Sequence, residues 1–205
     1  MLNTEPTARD LFFKALKTKT APQHDALEQT PLAMCIVRED LQLSQYISYL
    51  KTMYAFVKPF ERNYYPVLTS VFPNIKERSR IAALESDLLQ LGLSTEELAA
   101  IELLQFQADI ALPEAVGAMY VLEGSTLGGR VILKNVDKTL GLDAANGAQY
   151  FHGYGAETGP KWKEFLDNLW TFAAGSDEQE QIFKGAQRTF SALHGLFDKK
   201  EIHAV

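Results

Sequence analysis

The sequence predicts an all-α, multi-helical single domain spanning residues 1–205, with about eight helices. Three observations lead there. Apolar residues recur at steps of three and four in segment after segment, while no segment alternates in the manner of a strand. Helix start and stop signals punctuate those segments. A chain of 205 residues that is 46% hydrophobic suits one domain with a sizeable core.

In chain order, Thr20 can cap, and Pro22 can occupy the first turn of, a helix carrying His24, Leu27 and Glu28. Leu43, Tyr46, Ile47, Leu50, Tyr54, Val57 and Phe60 form the apolar face of the next helix, which Pro59 can kink and Pro66 is expected to end. Ile81, Leu84, Leu88 and Leu91 mark a further helix that stops at Gly92, where a left-handed cap carries no Cβ penalty. Ser94 and Glu97 make a capping box for a helix expected to reach about Gln107.

Asp109 and Pro113 restart the chain, and an apolar helix follows through Val116 to Leu133. The glycine-rich stretch 141–159 has no period and reads as a long loop. Pro160 then opens a helix bearing Trp162, Phe165, Leu166, Leu169 and Trp170. A last helix aligns Ile182, Phe183, Ala186, Phe190, Leu193 and Phe197.

Composition excludes several functions. A formal net charge of −6 supplies no broad positive field, so neither nucleic acid nor an anionic membrane is an expected partner. Cys35 is the single cysteine, which rules out an intrachain disulfide, a cysteine-rich zinc site and a CxxC motif, and fits a reducing cytoplasm. The first residues, MLNTEPTARDLFFKALK, lack a signal-peptide pattern, and no apolar run reaches the roughly 18 residues a membrane span requires. The expected location is cytoplasmic.

His24 and Glu28 share one helix face. A neutral imidazole can ligate iron through one nitrogen while the other donates to a carboxylate or a bridging water. The same spacing also describes an ordinary surface pair. His152, His194 and His203 read as solvated. No histidine follows a glutamate by three residues, so the Glu-x-x-His pattern of a di-iron bundle is absent.

In GAMYVLEGSTLGGRVILKN (residues 117–135), Gly124, Gly128 and Gly129 interrupt a strong helix, each at about 1 kcal/mol against alanine. Gly124 and Gly128, four apart, bare one face. That face can admit a flat ligand such as a heme, or it can receive another helix. The segment is not a phosphate loop, because Arg130 and Val131 replace Lys and Ser/Thr. Nor is Ser125 in a G-x-S-x-G elbow.

Together, LKTKTAPQHDALE (16–28) and YVLEGSTLGGRVILK (120–134) resemble the bacterial biliverdin-producing heme oxygenases, and IAALESDLLQLG (81–92) is similar to the family's intervening helix. The resemblance implies that His24 is the proximal ligand of heme iron, with Glu28 as its hydrogen-bonding partner. It implies that Gly124 and Gly128 lie against the heme and steer oxidation to one meso carbon. Lys17, Tyr120 and Lys163 match contacts to the heme propionates, with Lys161 a substitute for Lys163. Heme would be both cofactor and substrate, consumed with O2 and electrons from a ferredoxin or reductase to give biliverdin, CO and ferrous iron. A bacteriophytochrome is a possible acceptor of the biliverdin.

One departure stands out. Where the animal enzymes carry an aspartate that organises the distal water network, this chain has Ser125. A hydroxyl donates and accepts but brings no charge, so either Ser125 joins a differently built water chain or another residue such as Arg130 serves. Two alternatives stand beside this reading: a heme carrier or sensor on the same fold, and an enzyme of another class on a similar helical fold, such as a thiamin-pyrimidine hydrolase or transferase.

Overall fold

The computed structural model describes residues 5–106, 109–174 and 178–198. Among these the chain forms nine α-helices and no strand. The first helix, α1 (Ala8–Glu28), begins earlier than expected, at a capping box in which Thr7 and Asp10 satisfy each other's amides. Thr20 is therefore not a cap. It lies on the buried stripe with Phe12 and Leu16, and its hydroxyl donates to the Leu16 carbonyl at 2.8 Å. Pro22 is carried inside the helix, where packing against the core outweighs its local penalty. His24 consequently stands near the C-terminal end of α1 rather than at its start.

Thr30 caps α2 (Pro31–Cys35), and α3 (Leu43–Leu68) follows. Contrary to expectation, α3 continues through Pro66 for two residues, because Tyr64, Tyr65 and Leu68 prolong its buried face. Pro59 is likewise accommodated. It has no N–H to offer the Ala55 carbonyl four residues back, and the amide of Leu104 donates there instead, at 2.9 Å. A 3₁₀ turn, Ile75–Arg78, leads into α4 (Ile81–Gln90). Gly92 closes α4 with φ of 99°, while the amides of Gly92 and Leu93 donate to the carbonyls of Leu89 and Leu88, a Schellman ending.

The Ser94–Glu97 box forms as expected, but α5 (Thr95–Ala99) is short and does not extend toward Gln107, which lies outside the described residues. Past Ala99 the chain is drawn to α3: Leu104 bonds Ala55, and Phe106 packs edge-on against Phe56 and Tyr64. The longest helix, α6 (Leu112–Leu140), takes Pro113 in its first turn and ends at Gly141 with φ of 67°. The stretch 141–159 is not wholly a loop. It contains α7 (Gln149–His152) and a 3₁₀ turn, Gly155–Glu157. A distant carboxylate makes α7 possible: buried Asp87 accepts from the amides of Gln149 and Tyr150 at 2.8 and 2.7 Å. The chain finishes with α8 (Thr158–Ala173) and α9 (Gln179–Phe197).

Helix α9 is the axis of the molecule. Its closest partner is α6, and glycine on each helix allows that approach: a Cβ on Gly117 would stand 1.9 Å from the Ile182 carbonyl oxygen, and one on Gly185 2.1 Å from that of Glu114. Helix α1 also packs along α9, while α1 and α6 hardly touch each other. Space is thereby left between α1 and α6. Among the described residues, no helix is long and apolar enough to cross a membrane.

Candidate active site

That space is a cavity of about 790 Å³, within the range of small-molecule sites. Helix α1 brings His24, Leu27 and Glu28 to it; α6 brings Tyr120, Gly124, Ser125 and Gly128; α9 brings Phe190, Leu193 and Phe197. Met34, Ile36 and Val37 line it from α2 and the residues beyond.

The His24 side chain is 48% exposed, so its ring is open to a ligand. Its Nε2 lies 3.6 Å from Oε1 of Glu28, and its Nδ1 lies 3.6 Å from Oδ1 of Asp25. Both separations are too long for a direct hydrogen bond, and both are within reach of small rotamer changes. Phe190 meets the imidazole edge-on, with ring centroids 5.4 Å apart.

The three glycines of α6 have different surroundings. A Cβ on Gly128 would meet nothing within 4 Å, and one on Gly124 would touch only the Trp162 ring, at 3.7 Å. Among the described residues no backbone packs onto this face, and the two positions present bare backbone to the cavity. Gly129 is the packing residue: its Cβ would lie 2.8 Å from the Phe151 carbonyl oxygen. Room for a planar ring beside bare backbone, with an accessible imidazole in the same cavity, fits the requirements of a heme.

The polar lining differs from expectation. The Ser125 hydroxyl donates to the Leu122 carbonyl at 2.6 Å. Arg130 does not line the cavity; its guanidinium donates to the Gly155 carbonyl at 3.0 Å. Buried Arg80 lines it instead, donating to the Tyr150 carbonyl and lying over the Tyr150 and Tyr154 rings at 5.1 and 5.4 Å. Tyr150 is a lining residue too. Burial pushes its phenol up to about 12, although Arg80 and Ser125 both act to lower it.

Tyr120 lines the cavity beside Trp162, and burial raises its phenol as well. Lys17 and Lys163 are exposed and do not line the cavity. Lys161 pairs with Glu77 at 3.6 Å. His152 and His194 also lie off the lining, and His203 is outside the described residues. Arg80 and Tyr150 were not apparent from sequence, since neither belongs to a motif and only the fold brings them to α6.

A family model described as heme oxygenase matches residues 10–199. Heme oxygenase PigA of Pseudomonas aeruginosa is 27% identical over 206 residues, covering 97% of each chain. The heme oxygenase of Neisseria meningitidis, solved with NO and CO bound, is 25% identical with a TM-score of 0.71, covering 91% of this chain and 92% of that one. Heme oxygenase-1 of the cyanobacterium Synechocystis, solved in complex with heme, shares the fold at 17% identity and a TM-score of 0.75, over 93% of this chain and 92% of that one. With its cavity built from α1, α6 and α9 and 190 residues inside the family match, the chain belongs to the heme oxygenase family, a family of heme-degrading enzymes.

Proposed function

We propose that the protein opens the heme ring with O2 and electrons from a ferredoxin or reductase, yielding biliverdin, CO and ferrous iron. The carrying observation is one cavity that holds both an accessible imidazole, His24, and the uncovered backbone of Gly124 and Gly128. When bound, heme supplies both the redox-active iron and the ring that is opened.

The protein's own residues bind and orient. His24 would hold the heme iron through its imidazole, and either flanking carboxylate, Glu28 or Asp25, can fix its tautomer through a water. The bare stretch of α6 lets one face of the ring approach backbone closely. Tyr120 and the lysines Lys17 and Lys163 would hold the propionates: Lys17 is seven residues before His24 on the same face of α1, about 10 Å along the axis, a distance a lysine stem and a propionate arm can span. Ser125, Arg80 and Tyr150 are the polar groups available to order water near the glycine face. The site of action is the cytoplasm, and the biliverdin passes to an acceptor such as a bacteriophytochrome.

The test is reductive turnover. Hemin, O2 and ascorbate or a reductase should replace the heme absorption with that of biliverdin. The second reading is a heme carrier or sensor, favoured by the Ser125 hydroxyl being engaged with the Leu122 carbonyl. A heme spectrum that persists through repeated reduction in air establishes that reading and removes the first.

A further inference from the structure

We infer that Glu123, a residue outside the cavity lining, is the positioning residue that sets how the glycine face of α6 is presented to the heme; the inference rests on the function proposed above. A helix is ordinarily keyed in place by side chains on the face it buries. Along the glycine stretch of its cavity side α6 has no such key among the described residues, since Gly128 meets nothing and Gly124 touches only the Trp162 ring. Its first turns are fixed against α9 at Gly117 and Gly185, but along the glycine stretch a fixing contact has to come from behind.

Glu123 provides that anchor. It directly precedes Gly124, and its carboxylate and the Arg78 guanidinium are each 2% exposed. Oε2 accepts from Arg78 at 2.6 Å and Oε1 accepts from the Tyr154 hydroxyl at 2.7 Å. Arg78 in turn reaches the Lys161 carbonyl and Glu164 on α8, both at 3.2 Å, and its own carbonyl accepts from Tyr65 on α3. One carboxylate thus binds α6 to α8, to the 3₁₀ turn before α4, and to the segment after α7.

A buried pair of this kind is weak evidence for stability, because desolvation offsets its attraction, but it accepts few alternative geometries. Burial pushes the Glu123 carboxyl up, while Arg78 and Tyr154 pull it down. Shortening or neutralising the anchor leaves the glycine face free to shift by fractions of an ångström relative to the ring. Both the selection of a meso carbon and the environment of a gas ligand on the iron depend on that distance.

The test compares wild type with Glu123→Gln and Tyr154→Phe, using Leu68→Ala as a control destabilised in the core away from the cavity. Three quantities are read: melting temperature, the C–O stretching frequency of carbon monoxide bound to the reduced heme protein, and the ratio of biliverdin isomers. Both anchor variants are expected to shift the stretch and to change the isomer ratio about fivefold, with Leu68→Ala lowering the melting temperature alone. If the anchor variants lower the melting temperature but keep the wild-type stretch and ratio, Glu123 is purely structural and the inference is wrong. Should Glu123→Gln not fold, Tyr154→Phe decides by the same readouts. Failure of wild type itself to bind hemin or form biliverdin would instead refute the functional reading.

Discussion

Phe190 of α9 stands edge-on to His24 of α1, with ring centroids 5.4 Å apart and planes at 79°. The helix that spaces α1 from α6 therefore also orients the imidazole between them. An edge-to-face pair contributes about 0.5–1.5 kcal/mol beyond its area. Phe190→Ala should weaken hemin binding about two- to tenfold while keeping a histidine-ligated spectrum. Unchanged affinity in a hemin titration would show that Phe190 does not orient the ring.

Gly128 and Gly129 are adjacent yet should respond oppositely to alanine. At Gly128 a methyl group meets nothing, so Gly128→Ala should raise stability by about 1 kcal/mol through helix propensity, and it should weaken hemin binding by placing that methyl in the cavity. At Gly129 the methyl would press on the Phe151 carbonyl, and Gly129→Ala should lower stability by about 1–3 kcal/mol. Urea unfolding of the heme-free proteins separates the two. Equal effects would mean that both glycines serve packing.

This contrast shows where the sequence was legible. Signals confined to neighbouring residues read correctly: the Ser94–Glu97 box, the stop at Gly92 and the restart at Pro113 each depend on a few consecutive positions. Signals that depend on distant partners did not. Thr20 looks like a cap unless Leu16 and Phe12 are known to be buried with it, and Pro66 looks like a terminator unless Leu68 is known to be in the core. The short helix α7 exists because Asp87, some sixty residues earlier, accepts its first amides. At the site, His24, Glu28, Tyr120, Gly124, Ser125 and Gly128 line one cavity and Lys17 and Lys163 do not, whereas Arg80 and Tyr150 reach it only through the packing of α4 on α7 and of α7 on α6.

Asp87 gives a pH dependence of definite sign. Burial raises its carboxyl above the ordinary 3.8, against its two backbone hydrogen bonds and Arg80. The folded state therefore holds this proton more tightly than the unfolded chain, so the contribution is fully present below pH 3.8 and is lost as pH rises through the folded value. Asp87→Asn lacks that titration. The stability of wild type relative to Asp87→Asn should fall as pH rises above 3.8, measured by urea unfolding at matched temperature. A relative stability that rises over this window would reverse the assignment.

Hemin titration of wild type beside His24→Ala shows whether His24 is the heme ligand. Wild type should bind one equivalent with a histidine-ligated absorption spectrum, and His24→Ala should lose that spectrum while the cavity still admits the ring. The same histidine-ligated spectrum from both proteins would place the iron on another residue and remove His24 as its ligand.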